Sequence, residues 1–270
     1  MSWCFRLRRR WRWWGWLVCM GLLSAGCGPD TQTVRARQLY DEGSRLYLAQ
    51  RYAQAVGPLA DAGAASGDVR LLARASLLQG RSYLAMRQFH QAEAAFRRGV
   101  GLAKVPAEVG AGLKLGLADS LYGQERYQEA ARQYRELLRR YGDHIPADEA
   151  TFKLALACQR GGLWQEAHQH FARLASEFPQ SPRAQAARRF AADTRRTFTV
   201  QCGAFSSDQA ARRLANELRR KGFEPRLVPI TTSDSGQLVA VQVGSFKTWA
   251  EARRLRSLVL AAGFEARIVP

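Results

Sequence analysis

The sequence is short of acid, of histidine and of any long apolar run. Asp and Glu number 23 against 41 Lys and Arg, a formal net charge of +18. So basic a surface favours anionic lipid head groups or peptide carboxylates, although arginines solvating helix faces account for most of it. Of the four histidines, only His168 and His170 are close. Two apart on a helix, their side chains diverge by roughly 200°. His90 and His144 have no cysteine or carboxylate set at ligand spacing. There is no G-x-S-x-G elbow, no nucleotide-binding loop and no H-E-x-x-H pair. The acids are scattered along polar helix faces, so no paired carboxylates of a glycosidase stand out. The chain is not expected to be an enzyme or to need a cofactor or metal.

The longest apolar run, Trp13 to Leu23, is eleven residues, whereas a helix needs about 20 to cross a bilayer. Five arginines (Arg6, Arg8, Arg9, Arg10 and Arg12) precede it and Ser24, Ala25 and Gly26 follow, so residues 1–27 read as an export signal. The small residues before Cys27 resemble the cleavage motif of bacterial lipoproteins, which implies acylation of Cys27. Ser24 departs from the motif, which prefers leucine three before the cysteine. An ordinary cleaved signal or an uncleaved anchor is the alternative. Gly28 follows the cysteine in place of aspartate, which favours the outer membrane. Residues 28–34 are a tether spanning at most ~25 Å. Cys4 and Cys19 leave with the signal, and Cys158 and Cys202 read as buried thiols.

Between residues 35 and 196 an aromatic followed three residues later by alanine recurs four times: Tyr52 and Ala55, Phe89 and Ala92, Tyr127 and Ala130, Trp164 and Ala167. A small residue stands nine before each aromatic (Gly43, Gly80, Ala118, Ala155), and Leu59, Phe96, Tyr134 or Phe171 stands seven after. This resembles the tetratricopeptide (TPR) repeat, in a unit slightly longer than the usual ~34 residues. Longer turns are expected around Val105, Pro106 and Pro146, with a capping helix over 183–196. The resemblance implies an all-α array whose first helices line a groove holding Tyr40, Tyr47, Arg74, Leu77, Arg81, Tyr122 and Phe152. An apolar floor edged with arginine suits a peptide carrying acidic residues; equally, these side chains could serve only to pack the repeats.

Residues 197–270 hold a second duplication. Val200, Gln201, Gly203 and Phe205 return 41 positions later as Val241, Gln242, Gly244 and Phe246, and Gly222 and Phe223 return as Gly263 and Phe264. Alternation around Val200 and Cys202 predicts a strand. An i, i+3, i+4, i+7 stripe at Ala211, Leu214, Ala215 and Leu218 predicts a helix that Gly222 closes. Twice over, this makes a βαββαβ sheet with both helices on one face. The doubled V-Q-x-G-x-F and G-F pattern resembles the SPOR (sporulation-related repeat) family, which implies binding to septal peptidoglycan stripped of stem peptides, through the bare sheet face. That face is expected to carry Thr199, Gln201, Leu227, Leu238, Ala240, Gln242 and Ile268. Amides both donate and accept, so Gln201 and Gln242 suit sugar hydroxyls and acetamido groups. An uncovered sheet also simply requires polar residues. Ala204, Leu238 and Ala240 depart from the family, where serine, aromatic or basic residues are common.

An RNA-recognition motif shares the βαββαβ order, but it stacks bases on central-strand aromatics, and Gln201, Ala240 and Gln242 occupy those places. The expectation is a non-catalytic envelope lipoprotein, facing the periplasm, that binds glycan and a protein partner. One alternative is an assembly or enzyme-activating factor that the terminal module only localises; a weaker one is a wall hydrolase.

Overall fold

A computed structural model describes residues 31–232 and 236–270; the export signal, Cys27 and the tip of the polar turn lie outside the described residues. Eight helices form four antiparallel pairs: α1 (Thr31–Leu48) with α2 (Tyr52–Ala65), α3 (Val69–Ala85) with α4 (Phe89–Val100), α5 (Ala107–Gly123) with α6 (Tyr127–Tyr141), and α7 (Ala147–Arg160) with α8 (Trp164–Glu177). A ninth, α9 (Ala184–Ala192), packs on α8 as the expected cap. The first helix begins at Thr31, within the stretch expected to be tether.

The repeat's small and large positions meet directly. A Cβ on Gly43 would lie 2.6 Å from Leu59, and one on Gly80 2.5 Å from Phe96, so the first helix of each pair approaches the second where it has no side chain. Ala118 and Ala155, with Tyr134 and Phe171, occupy the same places in the later repeats and are all buried. Each recurring aromatic is the first residue of its pair's second helix. Two residues before it the chain takes a left-handed turn, at Gln50 (φ 58°), Arg87 (φ 58°), Glu125 (φ 61°) and Gly162 (φ 82°). Three non-glycine residues accept a conformation that costs about 1–2 kcal/mol each, because that kink lets the helices of a pair double back within three residues.

The C-terminal part forms β1 (Phe198–Phe205), α10 (Asp208–Arg220), β2 (Pro225–Thr232), β3 (Gly236–Phe246), α11 (Trp249–Ala261) and β4 (Arg267–Val269). The strands make one antiparallel sheet in the order β2-β3-β1-β4. Ser207 caps α10, Thr248 and Glu251 form a reciprocal capping box on α11, and Gly222 (φ 86°) and Gly263 (φ 89°) follow the two helices. The sheet also explains the repeated G-x-F. Cβ atoms on Gly203 and Gly244 would strike the rings of Phe205 and Phe246, which fold back over the glycines toward Leu214 and Leu255. Both helices cover the same face, closing a core of Val200, Cys202, Leu218, Val241, Val243 and Val259.

The two parts are docked on each other. Trp164, at the head of α8, packs on Phe198 with ring centroids 4.7 Å apart, and its Nε1 donates to the Lys247 carbonyl at 2.9 Å. Phe198 meets Trp249 edge-on, and Ala252, Phe246 and Ile268 complete this cluster. The Arg160 guanidinium lies 4.4 Å from the Trp249 ring centre, and Arg253 donates to Glu125 at 2.9 Å. All of these contacts reach the edge and helix side of the sheet.

Candidate functional site

Register fixes what the bare sheet face presents, since residues directly opposed on neighbouring strands point to the same side. Gln201 on β1 opposes Gln242 on β3, so the two expected amides stand side by side. Gln242 in turn opposes Arg226 on β2, and Gln201 opposes Arg267 on β4. One row, Arg226–Gln242–Gln201–Arg267, therefore crosses all four strands. Gln201 is only 5 % exposed and Gln242 half-buried, while both arginines are exposed. Among the described residues none of the four side chains has a hydrogen-bond or ion-pair partner.

Three expected face residues need correction. Ile268 opposes Val200 and packs into the Trp164–Phe198 cluster on the helix side, and Leu227, opposite Val241, joins the helix-side core. Both were placed one residue out of phase, and a one-residue slip reverses every side chain of a strand. Ala240 does lie on the bare face, opposite Ala204 and Val228, but its methyl is wholly covered and offers no contact surface. Thr199 opposes Val269, and its hydroxyl is buried without a partner. Leu238 is half-buried opposite Ile230, toward the end of the sheet that carries the turn.

The helical array has a groove of about 570 Å³ between α5 and α7, the first helices of its last two repeats, flanked by the turn from α3 to α4 and by Arg183. Tyr122, Phe152 and Leu156 line it, with Leu84 and Phe89 at one side and Lys153, Arg160 and Arg183 at another. Of the residues expected in the groove, Tyr122 and Phe152 line it, whereas Tyr40, Tyr47, Arg74, Leu77 and Arg81 do not. Leu77 is in the core at 8 % exposure, and Tyr47 packs edge-on against Tyr52 of its own repeat. At the groove's base Asp119 accepts from Lys153 (2.9 Å) and from the Tyr134 hydroxyl (2.5 Å). Burial, then the negative charge of Asp119, pushes the Tyr134 phenol well above its usual range, so it stays a donor. Burial likewise raises Tyr122 and pushes Tyr127 up to about 12.

Arg160 was missed by sequence reasoning although it continues the Phe152, Leu156 stripe by one turn. Its guanidinium lies over Tyr122 (5.1 Å) and Tyr127 (5.7 Å) as well as Trp249, so one side chain belongs both to the groove and to the docked module. Of the cysteines, burial pushes the thiols of Cys158 and Cys202 up to about 11, and both are free. His170 faces Glu166 and Cys158, with their ligand-type atoms within 4.8 Å of one another. Arg135 already occupies Glu166 at 2.5 Å and places a positive charge beside that cluster.

The fold is thus in two parts, a helical-repeat array carrying a small duplicated α+β module. Comparison with known proteins agrees in both parts: residues 194–270 match the family described as SPOR domain, and residues 115–182 match tetratricopeptide repeat. The chain thus has a TPR and SPOR architecture, and both families are binding modules without catalytic activity of their own. Solved structures similar to this chain include YrrB, described as a TPR protein with an unusual peptide-binding site (17 % identity, 58 % of this chain and 74 % of that chain, TM-score 0.47). Another is a Podosopora anserina putative kinesin light chain with nearly identical TPR-like repeats (16 % identity, 60 % of this chain and 85 % of that chain, TM-score 0.49). No curated protein matches the chain.

Proposed function

We propose that this chain is a non-catalytic protein of the bacterial cell envelope that holds peptidoglycan with one end and a protein partner with the other. The glycan, in strands stripped of their stem peptides at the division septum, lies across the bare sheet face over Gln201 and Gln242. The partner places an acidic peptide segment in the groove over Tyr122, Phe152 and Leu156. Lipid on Cys27 anchors the chain to the outer membrane with both modules in the periplasm.

The observation that supports this reading best is the pair of directly opposed amides, one almost buried and neither with an internal partner. Neither amide is among the polar atoms buried without a partner, so water satisfies both in the free protein and a sugar hydroxyl or acetamido group can take that water's place. For the groove, the support is an aromatic floor beside Arg87 and Arg160, which have no ion-pair acid among the described residues, so a peptide carboxylate has free cations to meet.

The test is co-sedimentation of the full chain with purified cell-wall sacculi. Stripping stem peptides with an amidase raises binding, and Gln201→Ala with Gln242→Ala lowers it by about thirtyfold, the sum of two ordinary hydrogen bonds of about 1 kcal/mol each. No gain after amidase treatment overturns the stripped-glycan assignment. Soluble fragments released from the wall by the pure protein overturn the non-catalytic one.

A further inference from the structure

We propose that Arg226 and Arg267 are the residues by which the sheet face selects its glycan, and that what they read is the free carboxylate on the lactyl ether of its muramic acid sugars. The inference rests on the glycan reading above and adds to it a chemical basis for preferring stripped strands.

The two arginines are repeat equivalents, 41 positions apart like the two glutamines. The sheet then crosses the copies: Arg226 of the first copy stands beside Gln242 of the second, and Arg267 of the second beside Gln201 of the first. Duplication has thus made a four-residue row with approximate two-fold symmetry, an Arg–Gln pair in each half. At about 4.8 Å per strand the two arginine positions are about 14 Å apart. A polymer whose units repeat along its length matches a site whose halves repeat. In each half the amide can hold an acetamido group while the guanidinium takes a neighbouring acid.

Among the described residues no side chain competes for those guanidiniums. Each arginine follows a glutamate by two residues, Glu224 and Glu265, yet neither pair closes to an ion pair, and most other arginines of this module have partners. While a stem peptide is attached, the lactyl carboxyl is an uncharged amide and its peptide projects from the sugar. Cutting that amide leaves a carboxylate, which a guanidinium binds through two parallel charge-assisted hydrogen bonds. The stripped strand is therefore a regularly spaced polyanion on a face that ends in cations.

The test compares two probes on the full chain: muramic-acid-containing glycan oligomers freed of peptide by amidase, and the same oligomers with their carboxylates converted to methylamides. The native chain binds the carboxylate form about tenfold or more tighter, and salt erodes the difference. The double variant Arg226→Gln, Arg267→Gln binds both forms alike, at the native level for the methylamide form, and Arg→Lys at both sites restores part of the preference. The substituted side chains are exposed and unpartnered, so thermal unfolding stays unchanged. If the native chain binds both probes equally well, the carboxylate inference is overturned and the glycan reading stands. If it binds neither, the glycan reading falls and takes this inference with it.

Discussion

Replacing Trp164 by alanine should uncouple the two halves of the molecule. The indole is 7 % exposed, and it belongs to the small cluster with Phe198 and Ala252 rather than to the main core of the array. Truncation empties a site between Phe198 and α8 and leaves the Lys247 carbonyl without its 2.9 Å donor. Aromatic-to-alanine changes in packed sites cost about 3–5 kcal/mol, and the lost hydrogen bond about 1 of these. What remains between the halves is weak: the Arg253–Glu125 pair is partly exposed and worth about 0–1 kcal/mol, and the Arg160–Trp249 contact about as much. Calorimetry of the native chain should show the sheet module unfolding with the last repeat, and Trp164→Ala should split that transition so that the module melts separately and earlier. Trp164→Phe, which keeps a ring but no N–H, should lie between. A double-mutant cycle with Phe198→Ala reports the contact itself, with a coupling of about 0.5–3 kcal/mol. An unsplit transition together with zero coupling would refute the docking argument.

Glu93→Gln should destabilise the array by about 1–2 kcal/mol, because the carboxylate accepts from Arg97, Gln124 and Arg126 and ties the second repeat to the third. Burial opposes its charge, but these bonds hold its carboxyl below the usual range; the stability it adds is therefore full above about pH 4.3 and lost as pH falls through the lower folded value. Urea unfolding of the native chain should weaken more steeply in that acid window than that of the variant, which keeps the other carboxyls held low, such as Glu129 and Asp148. Gly80→Ala should cost about 1–3 kcal/mol, since its Cβ would sit 2.5 Å from a Phe96 ring that has no space to retreat; Ala118→Gly, at the same repeat position, should cost only about 1. Cys158 and Cys202 should react with a thiol reagent only after unfolding, because burial raises both to about 11; fast labelling of the native chain would show that one of them is open to solvent.

How far the sequence could be read depends on how local the signal was. The four aromatic-to-alanine steps fell on the heads of α2, α4, α6 and α8, because a helix pair is specified by side chains within one repeat. The doubled V-Q-x-G-x-F led to a sheet with helices on one side, and the reason for its glycine, a phenylalanine folding back over it, is also local. Strand phase was less legible. The three-residue length of β4 left too little alternation to set its phase, so Ile268 was placed outward and Arg267 went unnoticed; on β2, Leu227 was placed outward where Arg226 stands, although that strand pairs regularly with β3. In the array, Tyr47 holds the same repeat position as Tyr122, five before the recurring aromatic, and only neighbouring repeats decide which of them lines a groove.

By itself, the sequence determined that two duplicated units exist, which elements each contains and which residues close each core, because burial periodicity and turn chemistry act over a few residues. Only the tertiary structure decided that Arg226, Gln242, Gln201 and Arg267 form one row, and that Trp164 and Arg160 join the array to the sheet module. Those placements depend on hydrogen-bond register between strands distant in the chain, and on the packing of surfaces that belong to different units. Neither leaves a periodic trace along the chain.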